Sequence, residues 1–387
     1  MMLPIPKDDP ETYVQIQDMA RRFADNVIRP VAETLDRDES FPRDIYAQMG
    51  ELGLFGISVP DTLGGAGLDA YAYAIVMEEL SRGYASVADQ CGLIELIGTL
   101  LTKFGSPAQK STWIGEVLSA RKLVAYCITE AEGGSDVSGI RTTAVRRGKG
   151  WLLNGGKILI HNAPIADVGF VLARTDPAAD HRGMSIFIVP FDIPGVGRGA
   201  KEHKMGQRGS QIGSLTFENV ELSEDALLGE EGRGFYMMMN VLEKGRVGIA
   251  ALAVGIAQAG LEAALEYAQV RKQFGHLVIE NQGIQWMLAD MLKEITAARA
   301  LVHRAAIMID NGEPANAACS IAKCFAADMA VAQTSNAVQM FGGSGYIRGV
   351  EVERLYRDAK ICQIYEGTNQ IQRTVIAREL IKNGARI

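Results

Sequence analysis

Near the C-terminus the segment "QIYEGTNQIQRTVIAREL" places Glu366 between Tyr365 and Gly367, with Thr368, Asn369 and Gln370 behind it. Ile371, Val375, Ile376 and Leu380 then recur at helical spacing, so the acid stands at a glycine-softened break before an amphipathic helix. Such an acid can cap free N–H groups at a helix start. It can also be a poised general base, because a carboxylate held in a dry pocket gains basicity.

Four other segments carry groups suited to ligand chemistry. "CITEAEGGSDVSGI" leaves a strand through Ile128 and Thr129 into a Gly-rich loop with Ser135, where backbone N–H groups can cradle an anion or simply form a surface turn. "YAQVRKQFGHLVIENQ" holds Arg271, Gln273, Phe274 and Gln282 at a helix end; a guanidinium beside amides suits a pyrophosphate, and Gly275 equally suits a C-cap. "QMFGGSGYIRG" brings Gln339 and Gly343 into a run open to close backbone approach, or to an ordinary turn. No βαβ pattern surrounds it, which disfavours a dinucleotide-binding Rossmann site. "VLEKGR" sets Glu243 and Arg246 at the start of a long apolar helix, either as a solvated charged end or as a handle for an anionic ligand.

The elements that position these groups change type twice. Residues 11–120 show helical periodicity, with Tyr13, Ile16, Met19, Phe23 and Val27 on one face and "VPDTLGGAGLD" as a turn between helices. From about 122, "KLVAYCIT", "WLLNGGKILI", "VGFVLART", "MSIFIVPF" and "LTFENVEL" read as strands of an antiparallel β domain, with "NGG" (154–156) as a hairpin turn. Ala-rich helices follow over 236–270, 280–311, 314–340 and 368–383. The expected class is α+β in three domains: an N-terminal helical domain (1–121), a middle β domain (122–232) and a C-terminal helical bundle (233–387). In the 387-residue chain 48% of residues are hydrophobic and the net charge is −7, which fits a globular protein and argues against nucleic-acid binding. Five scattered cysteines without a CxxC pair argue against disulfides and a metal site, and suggest a reducing cytoplasm. The start "MMLPIPKDDPETYV" lacks the basic and apolar runs of a targeting peptide, and "VGIAALAVGIAQAGL" reads as too short and interrupted to span a bilayer.

Taken in order, "YCITEAEGGSD", "YAQVRKQFG", "QMFGGSGY" and "YRDAKICQIYEGTNQIQR" across this α–β–α plan resemble the acyl-CoA dehydrogenase family of flavoproteins over essentially the whole chain. The resemblance implies FAD between the β domain and the bundle, and oxidation of an acyl-CoA thioester to its trans-2-enoyl form with electrons passed to an electron-transfer flavoprotein. It implies that Glu366, in the "YEGT" motif, is the catalytic base. A minority of the family carries its Glu where this chain has Gly245. The backbone N–H of Glu366 would polarise the thioester carbonyl, next to Gly367 in the substrate site, and capping would fall to Thr368 and Gln370, whose counterparts also touch FAD. Ile128, Thr129, Ile160 and His161 match positions around the flavin ring. Ser135, Glu243 and Arg246 match positions for the CoA part of the substrate. Arg271, Gln273, Phe274, Gln282, Gln339 and Gly343 match positions that hold the ADP half of FAD across a subunit interface. A homo-oligomer follows, in the family's usual form a homotetramer.

Two departures stand out. After "NGGK" the family reads Trp-Ile-Thr or Trp-Ile-Ser, whereas this chain reads Leu159-Ile160-His161. Leucine removes an aromatic cover from the flavin, and His161 brings a titratable group beside N5, with a pKa of roughly 6–7 if little perturbed. "SVADQCGLIEL" places Asp89, Gln90 and Glu95 on the helix that lines the acyl pocket in relatives, where some of the three are expected to face solvent. An acyl-CoA desulfinase, a nitroalkane-oxidase-like enzyme or a non-catalytic acyl-CoA binding protein are alternatives. The first two typically replace the basic Glu, so Glu366 argues against them.

Overall fold

The computed structural model describes residues 10–384. The N-terminal part consists of α1 (Pro10–Phe23), α2 (Ala32–Arg37), α3 (Arg43–Glu51), α4 (Ala70–Gly83), α5 (Ala85–Phe104) and α6 (Pro107–Leu118). Local chemistry marks several starts. Asp69 caps α4 by accepting from the Ala72 N–H at 2.8 Å. Ser106 and Gln109 form a reciprocal capping box at α6, with Pro107 at its first position.

The middle part is a sheet of β1 (Val124–Cys127), β2 (Thr143–Arg147), β3 (Gly150–His161), β4 (Val168–Arg174), β5 (Met184–Pro190), β6 (Val196–Arg198), β7 (Ile212–Leu222) and β8 (Leu227–Leu228). The path runs β6-β7-β3-β2-β4-β5-β8, mostly antiparallel, with β1 joining β4 in parallel. "NGG" is not a hairpin turn: it lies inside the twelve-residue β3, whose pairing with β7 shifts register on either side of it. The hairpin is made by Gly148, with φ +61°, between β2 and β3. Asn-Gly signals a turn only where no neighbouring strand holds the chain extended, and here β7 does.

The third part begins with α7 (Gly234–Val270), then the small hairpin β9 (Lys272–Gln273) and β10 (His276–Leu277). α8 (Gln282–Asp310), α9 (Asn316–Phe341), α10 (Glu351–Lys360) and α11 (Asn369–Asn383) complete it. With 37 residues, α7 is long enough and apolar enough to cross a bilayer, contrary to the sequence expectation, but 89% of its most apolar window is buried inside the protein.

Hydrophobic burial organises these parts into two cores. The N-terminal helices and the bundle share one core centred on α4, α5, α7 and α9. The strands β4 and β5 are buried on both faces, which explains their unbroken apolar runs. Val168, Phe170 and Leu172 face the helices, whereas Val171 and Ala173 face the second core around Trp151 and Phe187. This two-residue alternation presses one face of the sheet against the helices, and the candidate site lies at that seam.

Candidate active site

Glu366 stands in a left-handed backbone conformation, φ +55°, followed by Gly367 at φ +89°. The turn is held from several sides. Thr368 caps α11 by accepting from the Ile371 N–H at 3.2 Å. Gln372 donates to the carbonyls of Glu366 and Gly367, at 3.2 and 3.0 Å. Lys323, wholly buried on α9, donates to the Gly367 carbonyl at 2.8 Å and to Asn369 Oδ1 at 3.1 Å. Gln370, expected to share the capping, is exposed and makes no capping bond, so Thr368 caps α11 alone while Gln372 braces the preceding carbonyls.

The carboxylate itself has a different environment. Its Oε2 is enclosed and makes no hydrogen bond. A Cβ built on Gly245 of α7 would lie 2.6 Å from that oxygen. Burial pushes the Glu366 carboxyl up to about 7 and the charge of Asp89 adds to it, against Arg246 and Lys323, which pull it down. Burial likewise lowers Lys323 to about 8. A group that is half protonated near neutrality and lacks a neutralising partner is suited to taking up a proton. The Glu366 N–H also has no intramolecular acceptor among the described residues, so it can donate to a substrate carbonyl.

Glu243 and Arg246 are not at a solvated helix end. They lie well inside α7, where Arg246 is buried and donates to Asn316 at 2.7 Å while its Nε has no partner. Tyr126 of β1, half-buried with an enclosed, unpartnered hydroxyl, senses the Glu366 charge. Just beyond, the buried Lys157–Glu130 pair, 2.6 Å apart, fixes the strand end, with Lys157 also donating to the Ile128 carbonyl at 2.9 Å. The Thr129 carbonyl accepts from Ile158, while its hydroxyl makes no bond among the described residues.

At the end of β3, Ile160 is buried, and Leu159 adopts φ +56° in a bulge with 62% of its surface exposed. The His161 ring contacts Gln90 Nε2 at 2.7 Å and Asp89 at 3.4 Å. Burial lowers its pKa, Asp89 opposes this and Lys204 reinforces it, so the ring is neutral at physiological pH rather than unperturbed. None of the three polar α5 residues faces bulk solvent. Gln90 and Glu95 are buried, with Glu95 held by Ser58 and by Lys244 at 3.4 Å, and Asp89 points into the seam.

The remaining candidates lie elsewhere. Ser135 is exposed in the loop after β1. Arg271, Gln273, Phe274, Gln282, Gln339 and Gly343 gather as an exposed patch where Tyr267 and Phe341 stack at 4.2 Å and join the C-terminal ends of α7 and α9. Phe274 is 98% exposed at the hairpin tip, with φ +52°. This patch is separated from Gly245 by 26 residues of α7, about 39 Å of helix. The site residues therefore form two groups along α7, one around Gly245 and one at its C-terminal end. The donor set matches FAD on these terms: free hydroxyl and amide groups in the seam, and a guanidinium with amides and an open glycine run in the patch.

Several residues in the site gave no sequence signal of their own. Lys323, inside α9, and Gln372, in the first turn of α11, read along the chain like ordinary polar helix residues. Tyr73 of α4 is fully buried, and its hydroxyl occupies the space that a Cβ on Gly248 would take. Gly248 is three residues from Gly245 on the same helix, about 4.5 Å along its axis. Only the two glycines, spaced to share a face, hinted at a close approach there.

Matches to known proteins agree with this arrangement. Residues 10–121, 125–220 and 232–381 match the N-terminal, middle and C-terminal domains of acyl-CoA dehydrogenase. The human mitochondrial short-chain specific acyl-CoA dehydrogenase is 42% identical over 379 residues, 97% of this chain and 91% of that protein. Butyryl-CoA dehydrogenase from Megasphaera elsdenii superposes with a TM-score of 0.94 at 36% identity, covering 97% of this chain and all of that one. A chain solved in work on the electron transferring flavoprotein of Acidaminococcus fermentans superposes at 0.95 and 40% identity, covering 98% and 100%.

Proposed function

Because this chain belongs to the acyl-CoA dehydrogenase family and is an FAD-dependent oxidoreductase acting on CH–CH bonds, we propose that it converts a short acyl-CoA to its trans-2-enoyl form and gives the electrons to an electron-transfer flavoprotein. One observation carries the reading: the enclosed, unpartnered Glu366 Oε2, raised to about 7 and pressed against Gly245.

When bound, FAD supplies the acceptor for the β-hydrogen, which leaves as hydride. The chain's own residues do the rest. The Glu366 N–H donates to the thioester carbonyl and makes the α-proton more acidic. Glu366 takes that proton at its carboxylate, and burial makes the protonated product comfortable there. Gln372 and Lys323 fix the turn so that the base and the N–H keep one geometry. Arg246, whose Nε has no partner, and the half-buried Glu243 lie within two residues of Gly245 and suit the polar part of the CoA. The Tyr73 hydroxyl, packed against Gly248 about one helical turn past Gly245, supports reading it as a wall that limits the acyl chain. The names of the short-chain and butyryl-CoA relatives point the same way.

The separation of the two FAD-binding groups along α7 supports a homo-oligomer. So do the exposed Trp286 and Leu292 on α8 and Ile381 on α11, apolar side chains that a second subunit would cover. The test is an anaerobic titration of the purified flavoprotein with acyl-CoA thioesters of increasing chain length. Butyryl-CoA or valeryl-CoA should bleach the flavin and the long chains should not. Bleaching that grows with chain length beyond eight carbons would overturn the short-chain reading.

A further inference from the structure

The polar α5 segment sets a second carboxylate, Asp89, beside His161. Asn162 Nδ2 donates to the Val124 carbonyl at 3.2 Å and to Gln90 Oε1 at 2.9 Å. A carbonyl can only accept, so the Asn162 amide has one orientation and its Oδ1 must receive Gln90 Nε2, at 3.1 Å. The second Gln90 N–H then points at His161 Nε2, at 2.7 Å, which must accept. The ring proton is therefore on Nδ1, facing Asp89 at 3.4 Å. Asp89 Oδ2 lies 3.4 Å from that nitrogen, and Asp89 has no hydrogen-bond partner among the described residues.

Its carboxylate is not sealed. The Asp89 and His161 side chains keep 14% and 18% of their surface accessible, and neither Asp89 oxygen is among the enclosed unpartnered atoms. Its charge acts on Glu366, Tyr365 and Tyr73, the base and two of the walls around it. Lys204, whose charge reaches Asp89, gives two of its three N–H donors to the carbonyls of Gln207 and Ser210, both at 2.5 Å, and makes no hydrogen bond to Asp89. An apolar acyl end placed here would strip water from a carboxylate and return nothing.

We propose that Asp89 selects the substrate: the acyl group is short and carries a hydrogen-bond donor, a hydroxyl or an ammonium, beyond its β-carbon. This rests on the reading of Glu366 as the base of an acyl-CoA dehydrogenase. A site that hydrogen-bonds a substrate group discriminates against the analogue lacking it far more strongly than an apolar wall does. A carboxylate at the same place on the acyl chain is repelled by both Asp89 and Glu366.

The experiment compares kcat/KM of the FAD-loaded protein, with an artificial electron acceptor, for valeryl-CoA, 5-hydroxyvaleryl-CoA, 5-aminovaleryl-CoA and glutaryl-CoA. At least one of the two donor-bearing thioesters should exceed valeryl-CoA tenfold or more, and glutaryl-CoA should be the poorest. Which of the two leads identifies the donor as neutral or cationic. In Asp89→Ser the ratio of the preferred substrate to valeryl-CoA should fall towards one. Valeryl-CoA equal to or better than both in the wild type overturns the proposal, as does an unchanged ratio in Asp89→Ser. Oxidation of none of the four, nor of butyryl-CoA, overturns the dehydrogenase reading itself, a result distinct from good valeryl-CoA turnover without preference.

Discussion

Gly245 of α7 and Glu366 of the turn before α11 share one space, since a Cβ on the first would stand 2.6 Å from Oε2 of the second. The base can occupy its place only because α7 has no side chain there. Either position could present a carboxylate to the same point, but not both.

Gly245→Ala is therefore expected to displace the carboxylate rather than unfold the helix, because the clashing atom is the far end of a flexible side chain. The rate of flavin reduction by butyryl-CoA should drop at least tenfold, while alanine's helix propensity keeps the melting temperature near wild type. In the double variant Gly245→Glu with Glu366→Gly, part of the activity lost in Glu366→Gly alone should return. Rapid-mixing measurements of flavin bleaching check both.

The raised Glu366 pKa predicts opposite trends for rate and stability. Flavin reduction should rise roughly tenfold per pH unit below about pH 7 and level off above it, as the base loses its resting proton. Stability runs the other way. The native carboxyl holds its proton up to about pH 7 and the unfolded one only to about 4.5, so the contribution is complete below 4.5 and is lost on the way to 7. Above pH 7, Glu366→Gln should be more stable than wild type by at most about 3 kcal/mol, a gap that closes in acid. Denaturant titrations across this range give the sign directly.

Much of this was legible from the chain. The periodic helices over 236–270, 280–311, 314–340 and 368–383 correspond closely to α7, α8, α9 and α11, because their apolar faces have a long, regular repeat. Glu366 drew attention through local chemistry, an acid beside glycine at a helix start. What sequence could not show is which groups meet across the fold. Lys323 and Gln372 hold the turn through contacts to backbone carbonyls, which leave no pattern along the chain. The "NGG" segment misled because the strand β7 beside it lies some sixty residues away, beyond any local rule. His161 looked like a free titrating group, whereas burial keeps it neutral and its tautomer depends on Gln90 and Asn162, whose amide orientation is set by a carbonyl of β1.

Lys323→Met should loosen the catalytic turn. It leaves the buried Gly367 carbonyl with Gln372 as its remaining donor and Asn369 Oδ1 without this bond. A loss of about 1–3 kcal/mol is expected, with kcat reduced more than KM is raised, because the base loses alignment rather than its chemistry. Thermal melts and steady-state kinetics measure the two effects.

Arg271→Ala tests the shared cofactor site. If the exposed patch near Phe274, about 39 Å of helix from Gly245, serves another subunit's flavin as proposed, FAD content and oligomer size should fall together. Gel filtration alongside the flavin-to-protein absorbance ratio reports both. An intact, fully loaded oligomer would reduce Arg271 to an ordinary helix end.

The central claim is that the enclosed Glu366 carboxylate removes the proton. Glu366→Gln keeps the shape of the side chain and gives up its basicity, so the measurement is single-turnover flavin bleaching by butyryl-CoA in this variant, with FAD content and thioester binding measured on the same sample. The account predicts retained FAD and binding with bleaching slowed at least 10²-fold, in the range expected for a lost general base. Bleaching at a rate near wild type would contradict it and move the search to another carboxylate.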